Sequence, residues 1–154
     1  QRSLVGSEMC IRDRGDVTFD GSTGNKNTNI AVYIANGTTT INGGHFIGGI
    51  GADGSASSCI YLHPARSNYK PVLNIYGGVF ETESDLNGWY PVINIYDSYR
   101  DNCTVLIYGG IFVNYDPATG DNTGAEDDTF VAPGYKSVEI TYEGKKAWQV
   151  VKDE

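Results

Sequence analysis

Two loops of this chain combine acidic and basic side chains in a pattern that could support catalysis. The first loop carries His63 and Arg66, and the second carries Asp97, Arg100 and Asp101. If the two loops stack on each other, their carboxylate and guanidinium groups approach one another. Charges paired across neighbouring loops are usually surface ion pairs worth about 0–1 kcal/mol, and the carboxylate pair that glycoside hydrolysis requires is not identifiable. The catalytic candidates are therefore Asp97, Asp101, Arg66 and Arg100, and we expect the chain to be non-enzymatic.

Aromatic rings offer a second chemistry, the stacking of a flat ligand face on an exposed side chain. Tyrosines recur on the strands predicted below, and a Trp–Tyr pair falls on a loop. Exposed rings on a flat β surface can stack on sugars or contact other proteins. Tyrosine is also common on the outside of sheets, where it packs across strands, so both roles stay open. The ligand-binding candidates are Tyr76, Tyr108, Trp89 and Tyr90, and the other strand tyrosines are Tyr33, Tyr61 and Tyr96.

Acidic residues cluster between positions 116 and 128. Calcium takes about six to eight oxygen ligands, so the carboxylates of this one segment could hold an ion. The spacing lacks the Asp-x-Asp-x-Asp-Gly order of an EF-hand, which favours a solvated surface loop. The calcium candidates are Asp116, Asp121, Asp127 and Asp128, and no other cofactor is predicted.

Two further metal-binding patterns are weak. Residues 48–53 match the start of a calcium-binding nonapeptide, G-G-x-G-x-D, but such sites need tandem copies and the chain has one. His45 and His63 have no second ligand at a metal-like spacing. We expect a flexible glycine loop at the first site and structural roles for both histidines.

An internal repeat positions these residues. The motif I-x-G-G-x-F begins at Ile41, Ile75 and Ile107, and its first glycines lie 34 and 32 residues apart. A near-constant period of this length is typical of repeat architectures, in which each unit buries its apolar face against the next. Each period predicts a strand, a loop, a second strand, a Gly-Gly corner and a short third segment around the Phe.

Alignment of the three motifs predicts which side chains face inward. Alternate residues of a strand share a face, so the Ile column and the column two residues earlier point the same way. The two glycines turn the chain without a Cβ clash and present the Phe to the interior. The predicted inward columns are Ile41/Ile75/Ile107, Thr39/Leu73/Val105 and Phe46/Phe80/Phe112, and an outward column is Asn42/Tyr76/Tyr108.

The C-terminal segment predicts a β-hairpin. Residues 137–142 and 147–151 alternate in polarity, and residues 143–146 join them. A hairpin with charged ends would protect the last repeat from edge-to-edge association. We therefore assign residues 15–129 to the repeats and residues 130–154 to a C-terminal cap.

Composition narrows the class of partner. The 154 residues suit one domain, and the formal charge of −8 argues against nucleic-acid binding, which needs clustered Lys and Arg. No apolar run approaches the roughly 18 residues needed to cross a bilayer. Neutral or cationic ligands remain compatible with the acidic surface.

The first fourteen residues, QRSLVGSEMCIRDR, resemble a translated sequencing-adapter sequence. We therefore set residues 1–14 aside as a non-native segment and expect the chain to be a fragment of a longer protein. Cys59 and Cys103 then remain as native cysteines. They fall at non-equivalent repeat positions, so a disulfide between them is left open.

The I-x-G-G-x-F units resemble those of right-handed parallel β-helix proteins of the pectin-lyase-like superfamily, over about residues 16–112. Their G-G-x-F style is similar to repeat proteins common in gut bacteria and their phages. The segment TFVAPGYK, residues 129–136, resembles the lead into the last hairpin of such proteins. The resemblance implies an all-β fold, a right-handed parallel β-helix (solenoid) of about three coils with a C-terminal β-hairpin cap.

The resemblance also implies a function. We expect a non-enzymatic structural or adhesive module of a bacterial cell-surface protein or phage virion, outside the cell, that contacts cell-surface glycans or other surface or virion proteins. A homotrimer would suit a virion fibre. The alternative is a polysaccharide lyase or glycoside hydrolase, since pectate lyases and polygalacturonases group acidic residues with Arg or Lys on one outer face. A calcium-stabilised extracellular module is a third hypothesis.

Overall fold

The computed structural model describes residues 8–11, 18–20, 30–49, 58–82, 92–120 and 129–154, the first two ranges as backbone only. These residues form a mostly β structure with two short 3-10 segments, Asp97–Asn102 and Pro117–Thr119. The strands are β1 (Glu8–Ile11), β2 (Thr18–Asp20), β3 (Val32–Ile34), β4 (Thr38–Ile41), β5 (His45–Gly48), β6 (Ile60–Leu62), β7 (Val72–Ile75), β8 (Val79–Thr82), β9 (Ile93–Ile95), β10 (Thr104–Ile107), β11 (Gly110–Val113), β12 (Tyr135–Tyr142) and β13 (Lys145–Lys152).

Each repeat contributes one strand to each of three sheets. The first sheet has the order β1-β4-β7-β10, and the shortest has the order β3-β6-β9. The third sheet continues from β2-β5-β8-β11 into the C-terminal strands β13 and β12. All pairings between repeats are parallel among the described strands. Successive repeats therefore stack on one another, which confirms the predicted strand–loop–strand–corner–strand order.

The register reproduces the motif alignment. Ile41 pairs with Ile75, and Ile75 pairs with Ile107, while the Phe residues pair in the same way in the third sheet. The Ile and Phe columns are fully buried, and the Thr39/Leu73/Val105 column is buried as well. Side chains of all three sheets meet in one apolar cluster. The predicted inward and outward columns are confirmed.

The Gly-Gly corners are required by close approach and by backbone conformation. A Cβ on Gly77 would lie 2.9 Å from the carbonyl oxygen of Asn42 in the preceding repeat, and Gly109 is crowded by Tyr76 in the same way. The second glycine of each pair adopts positive φ, 118° at Gly78 and 109° at Gly110. Side chains other than glycine rarely adopt such angles, so the corner sequence is fixed by sterics.

The C-terminal hairpin extends the third sheet. Strand β13 pairs antiparallel with β11 on one side and with β12 on the other. The turn is shorter than predicted: Glu143 and Gly144 alone connect the strands, both with positive φ, as a two-residue type I′ turn requires. Residues 130–132 bridge to the end of β10 through Val131 and Ile107.

Two N-terminal strands extend the sheets. Strand β2 lies in register with β5, where a preceding repeat would contribute its third strand. Strand β1 pairs with β4 although it belongs to the adapter-like segment. Because an open sheet edge accepts any strand-forming backbone, this pairing is compatible with either origin, and the non-native assignment of residues 1–14 stays a prediction.

Candidate functional site

The exterior of the sheet β3-β6-β9 carries a row of aromatic side chains. Each strand alternates buried and outward residues, so Tyr33, Tyr61 and Asn94 stand side by side on the outer face. His63 and Tyr96 each lie one position beyond the end of a strand, and their side chains also point outward. The backbone N–H of His63 donates to Ile34 O, and that of Tyr96 donates to Leu62 O. Parallel stacking of the repeats thus brings residues about 30 positions apart onto one surface.

Five rings on this surface form an unbroken chain of contacts, which we call the aromatic strip. Tyr33 meets Tyr61 edge-on at 5.8 Å between centroids, and Tyr61 lies parallel to His63 at 5.4 Å. His63 meets Tyr96 edge-on at 4.3 Å, and Tyr96 meets Tyr99 at 5.8 Å. Offset-parallel and edge-on pairs at such distances are the favoured geometries of aromatic rings. The strip is therefore a rigid surface formed by neighbouring repeats.

The strip is apolar in its ring faces and polar at its rim. The hydroxyl of Tyr33 hydrogen-bonds to Nδ1 of His63, and the Tyr33 side chain is 38% exposed. Burial raises the pKa of Tyr33. Burial, with smaller contributions from Tyr33, Asp97 and Tyr96, raises the pKa of Tyr61. Both phenols therefore stay protonated at neutral pH and supply hydroxyl donors.

The charged loops flank this strip, and one hydrogen bond joins them. The side-chain amide of Asn102 donates to the carbonyl oxygen of Ser67 at 2.8 Å, which joins the second loop to the first. Arg100 lies 3.7 Å from Asp97, whose side chain is 79% exposed. Arg66 instead lies over the ring of Tyr69, at 5.9 Å from its centroid. The structure thus pairs two of the catalytic candidates, Asp97 and Arg100, beside the strip.

Arg100 also lines a cleft of about 260 Å³. Its lining includes the candidates Arg100 and Asp101 together with Cys103 and Thr104. Burial raises the pKa of Cys103 to about 11, a shift that nearby Arg100 partly opposes. The thiol is therefore protonated at neutral pH and is a poor nucleophile.

The predicted ligand-binding residues Tyr76 and Tyr108 form a second, smaller platform. Their rings stack in parallel at 4.7 Å, and Tyr135 of β12 meets Tyr108 edge-on at 5.4 Å. Tyr76 is 52% exposed to solvent, whereas Tyr135 covers part of Tyr108. Trp89 and Tyr90, the other two candidates, lie outside the described residues.

Sequence analysis missed a third cluster, on the outer face of the longest sheet. The carboxylate of Glu81 joins Nε2 of His45 at 2.7 Å and Nζ of Lys145 at 2.8 Å. Burial alone would raise the Glu81 pKa, but the hydrogen bonds from Lys145 and His45 outweigh it, so the pKa is lowered. Motif alignment could have placed His45 and Glu81 on adjacent strands, but no sequence signal brings Lys145 to them. The predicted structural role of His45 is compatible with this ion pair.

The calcium candidates are only partly described. Asp116 accepts a hydrogen bond from the backbone N–H of Ala118 at 3.0 Å and so caps the short 3-10 segment that follows. Asp121, Asp127 and Asp128 lie outside the described residues, as do residues 50–53 of the glycine loop. In the part of the chain that the structure describes, no group of three acidic, His or Cys side chains could hold a metal ion.

Cys59 and Cys103 are both free thiols. Cys59 is fully buried, and its Sγ donates to the carbonyl oxygen of Phe46 at 3.3 Å. The disulfide that the sequence left open is therefore not formed in this structure.

No family model, curated protein or solved structure matches this chain. Within the described ranges, none of the helical segments is long and apolar enough to cross a membrane.

Proposed function

We propose that this chain is a non-enzymatic module with a parallel β-solenoid scaffold, which binds glycan chains through the aromatic strip. The scaffold part of the proposal is supported by three sheets, each of which receives one strand from every repeat, with parallel pairing from one repeat to the next. Side chains of these sheets share one core, so each repeat buries its apolar face on the next. Such a rod holds exterior side chains at fixed spacing.

One observation carries the binding function: five rings from three successive repeats form a continuous outer surface. The faces of sugar rings are apolar C–H surfaces with hydroxyl groups at their edges. The strip matches both features, because its rings offer apolar area and Tyr33, Tyr61 and Asp97 offer hydrogen-bonding groups at the rim.

The repeat resemblance supports the biological setting that we propose. The module belongs to a bacterial cell-surface protein or a phage virion and acts outside the cell. Its partners are cell-surface glycans, and the rod presents the strip to them.

The decisive experiment is a glycan array followed by calorimetry with the best-bound oligosaccharide. Tyr61→Leu removes the central ring but keeps apolar bulk, so affinity should fall roughly 2- to 12-fold, the equivalent of about 0.5–1.5 kcal/mol. Tyr142→Leu changes a tyrosine on the distant hairpin and is the matched control, expected to bind like the parent chain. Equal binding by both variants and the parent would refute the strip as the binding surface.

Tyr76→Leu distinguishes the two aromatic platforms. If the glycan binds the strip, this variant retains full affinity, because Tyr76 stacks on Tyr108 and is not one of the five rings of the strip. Loss of affinity in Tyr76→Leu alone would move the site to that pair.

A polysaccharide lyase or glycoside hydrolase is the second candidate. It is favoured by one arrangement, the cleft in which Arg100 and Asp101 lie together, next to Asp97. A degradation screen on acidic and neutral polysaccharides tests it. Turnover by the parent chain that Asp101→Asn abolishes, with an unchanged melting temperature, would replace the non-enzymatic proposal.

A further inference from the structure

The outermost strand of the longest sheet, β12, has a hydrogen-bonding edge without a strand partner in the described part of the chain. Two backbone hydrogen bonds show which residues of β12 direct their N–H and C=O groups towards β13. Asp153 N donates to Gly134 O at 2.9 Å, and Asn114 N donates to Lys146 O at 2.9 Å on the far side of β13. The backbone N–H and C=O groups of the even-numbered residues of β12 therefore face β13. Those of Ser137, Glu139 and Thr141 face the free edge.

This edge lacks the usual protection against strand pairing. Strand β12 is eight residues long and contains no proline and no bulge in its pairing with β13. Its charges are paired inside the hairpin, Lys136 with Asp153 at 3.0 Å and Glu139 with Lys146 at 3.0 Å. The charged ends that were expected to prevent edge-to-edge association thus neutralise each other within one molecule.

We propose that β12 is a self-association surface, on which β12 of a second copy of this chain pairs antiparallel about a twofold axis at Val138. In this register Ser137 faces Glu139 of the second copy, and Lys136 faces Ile140. The most exposed apolar side chain of the strand, Val138 at 38%, packs on its own symmetry mate. Residues 135–141 then lie opposite one another, with Tyr135 contributing its carbonyl alone because its N–H is bonded to the carbonyl oxygen of Ala132 at 3.0 Å.

An unsatisfied polar atom supports this register. The hydroxyl oxygen of Ser137 is buried and has no hydrogen-bond partner in the described chain. A buried hydroxyl without a partner costs free energy, and opposite residues of an antiparallel pair lie close enough for their side chains to bond. In this register the Glu139 carboxylate of the second copy lies opposite Ser137, and it can accept the hydroxyl hydrogen once the Ser137 side chain rotates out of its covered position.

Neighbouring registers are less favourable. A shift of the twofold axis to Glu139 places two Glu139 side chains directly opposite each other, and like charges in that position destabilise a pair. A shift to Ile140 shortens the overlap, since Ser137 would then face the turn residue Glu143. The Val138 register avoids both costs. It gives a twofold dimer, in contrast to the threefold assembly expected for a fibre.

Light scattering across a concentration series tests the association with the full chain. The parent should shift from the mass of one chain towards that of two. Val138→Lys would place two ammonium groups opposite each other at the axis. This variant should therefore remain a monomer, with a fold that is unchanged by circular dichroism. Gln149→Lys adds the same charge on the same face, directly across from Val138 but away from the edge, and should still dimerise.

Disulfide trapping tests the register independently. Residues at the twofold axis form a non-hydrogen-bonded pair, whose Cα separation falls within the range that a disulfide spans. Val138→Cys should therefore give a cross-linked dimer joined through residue 138, and Gln149→Cys should not. A parent chain that stays monomeric throughout, a Val138→Lys variant that still dimerises, or cross-links at residue 149 alone would each overturn the proposal.

Discussion

Glu81 on β8 forms a 2.8 Å ion pair with Lys145 at the start of β13, although 64 residues separate them in sequence. His45 on β5 approaches the same carboxylate from the other side at 2.7 Å. Two repeats and the hairpin thus meet at one side chain that is only 15% exposed. The contact ties the C-terminal hairpin to the stacked repeats.

The Glu81 cluster makes stability sensitive to acid. Because the Lys145 and His45 hydrogen bonds lower the Glu81 pKa below its ordinary value of 4.5, the carboxylate stabilises the fold fully above about pH 4.5. This contribution is lost as the pH falls through the lower, folded-state pKa. Glu81→Gln should cost about 1–2 kcal/mol at pH 7, and the cost should shrink at acidic pH. Thermal unfolding of both proteins at a series of pH values measures this.

Glu139→Gln is the matched control for that prediction. Glu139 also pairs with a lysine at 3.0 Å, but both partners are more than half exposed. Exposed pairs contribute little, so this variant should lose less than about 0.5 kcal/mol at any pH. Equal pH dependence in Glu81→Gln and the parent chain would show that the cluster does not stabilise the fold.

The Phe column supplies a large part of the core stability. Phe80 stacks in parallel between Phe46 and Phe112 at 5.0 Å on each side, and all three are fully buried. Phe80→Ala should destabilise the chain by about 3–5 kcal/mol, since both neighbours lose packing and a cavity remains. Tyr76→Ala, four residues earlier but half exposed, should cost about 1 kcal/mol. Denaturant unfolding measures the loss of stability in both variants. Similar losses would contradict the assignment of the Phe column to the core.

The core could be predicted from the sequence because equivalent positions of successive repeats pair with each other in the sheets. Three copies of I-x-G-G-x-F align Ile41 with Ile75 and Ile107, and strand alternation then decides which column is buried. Motif spacing therefore gave the strands, their parallel stacking and the burial of each column. The short 3-10 segment at Asp97–Asn102 was expected only as a loop, since no periodicity distinguishes so brief a turn.

The candidate site was less predictable because it depends on parts that do not repeat. Tyr33, Tyr61 and Tyr96 could be named as strand tyrosines, but the central position of His63 depends on how the rings turn after the strand ends. The Glu81 cluster needs Lys145, which the hairpin brings from a region unrelated to the motif. Similarly, Arg66 lies on Tyr69 rather than beside Asp97, a choice among rotamers that sequence does not encode.

The corner glycines should be intolerant of any side chain for a steric reason. A Cβ on Gly109 would overlap the carbonyl oxygen of Tyr76, which is backbone and cannot rotate away. Gly109→Asn should therefore cost about 1–3 kcal/mol or more. Gly134→Asn is the control: its φ of 79° strains a side chain, asparagine least of all, but no atom lies within 4 Å of a new Cβ. Thermal unfolding should give this control a loss of less than about 1 kcal/mol, and comparable losses at both positions would contradict the steric argument.

The two core-side cysteines should resist alkylation in the folded chain. Burial raises the pKa of Cys59, and burial raises that of Cys103 to about 11, so at pH 8 only about one Cys103 thiol in a thousand is ionised. Iodoacetamide should therefore modify both at least about a hundred-fold more slowly than an exposed thiol with a pKa near 8.5. Peptide mass spectrometry follows each site, and guanidinium should make both reactive. Rapid native labelling of Cys59, or a cross-linked Cys59–Cys103 peptide pair, would contradict the burial and the free thiols that the structure assigns.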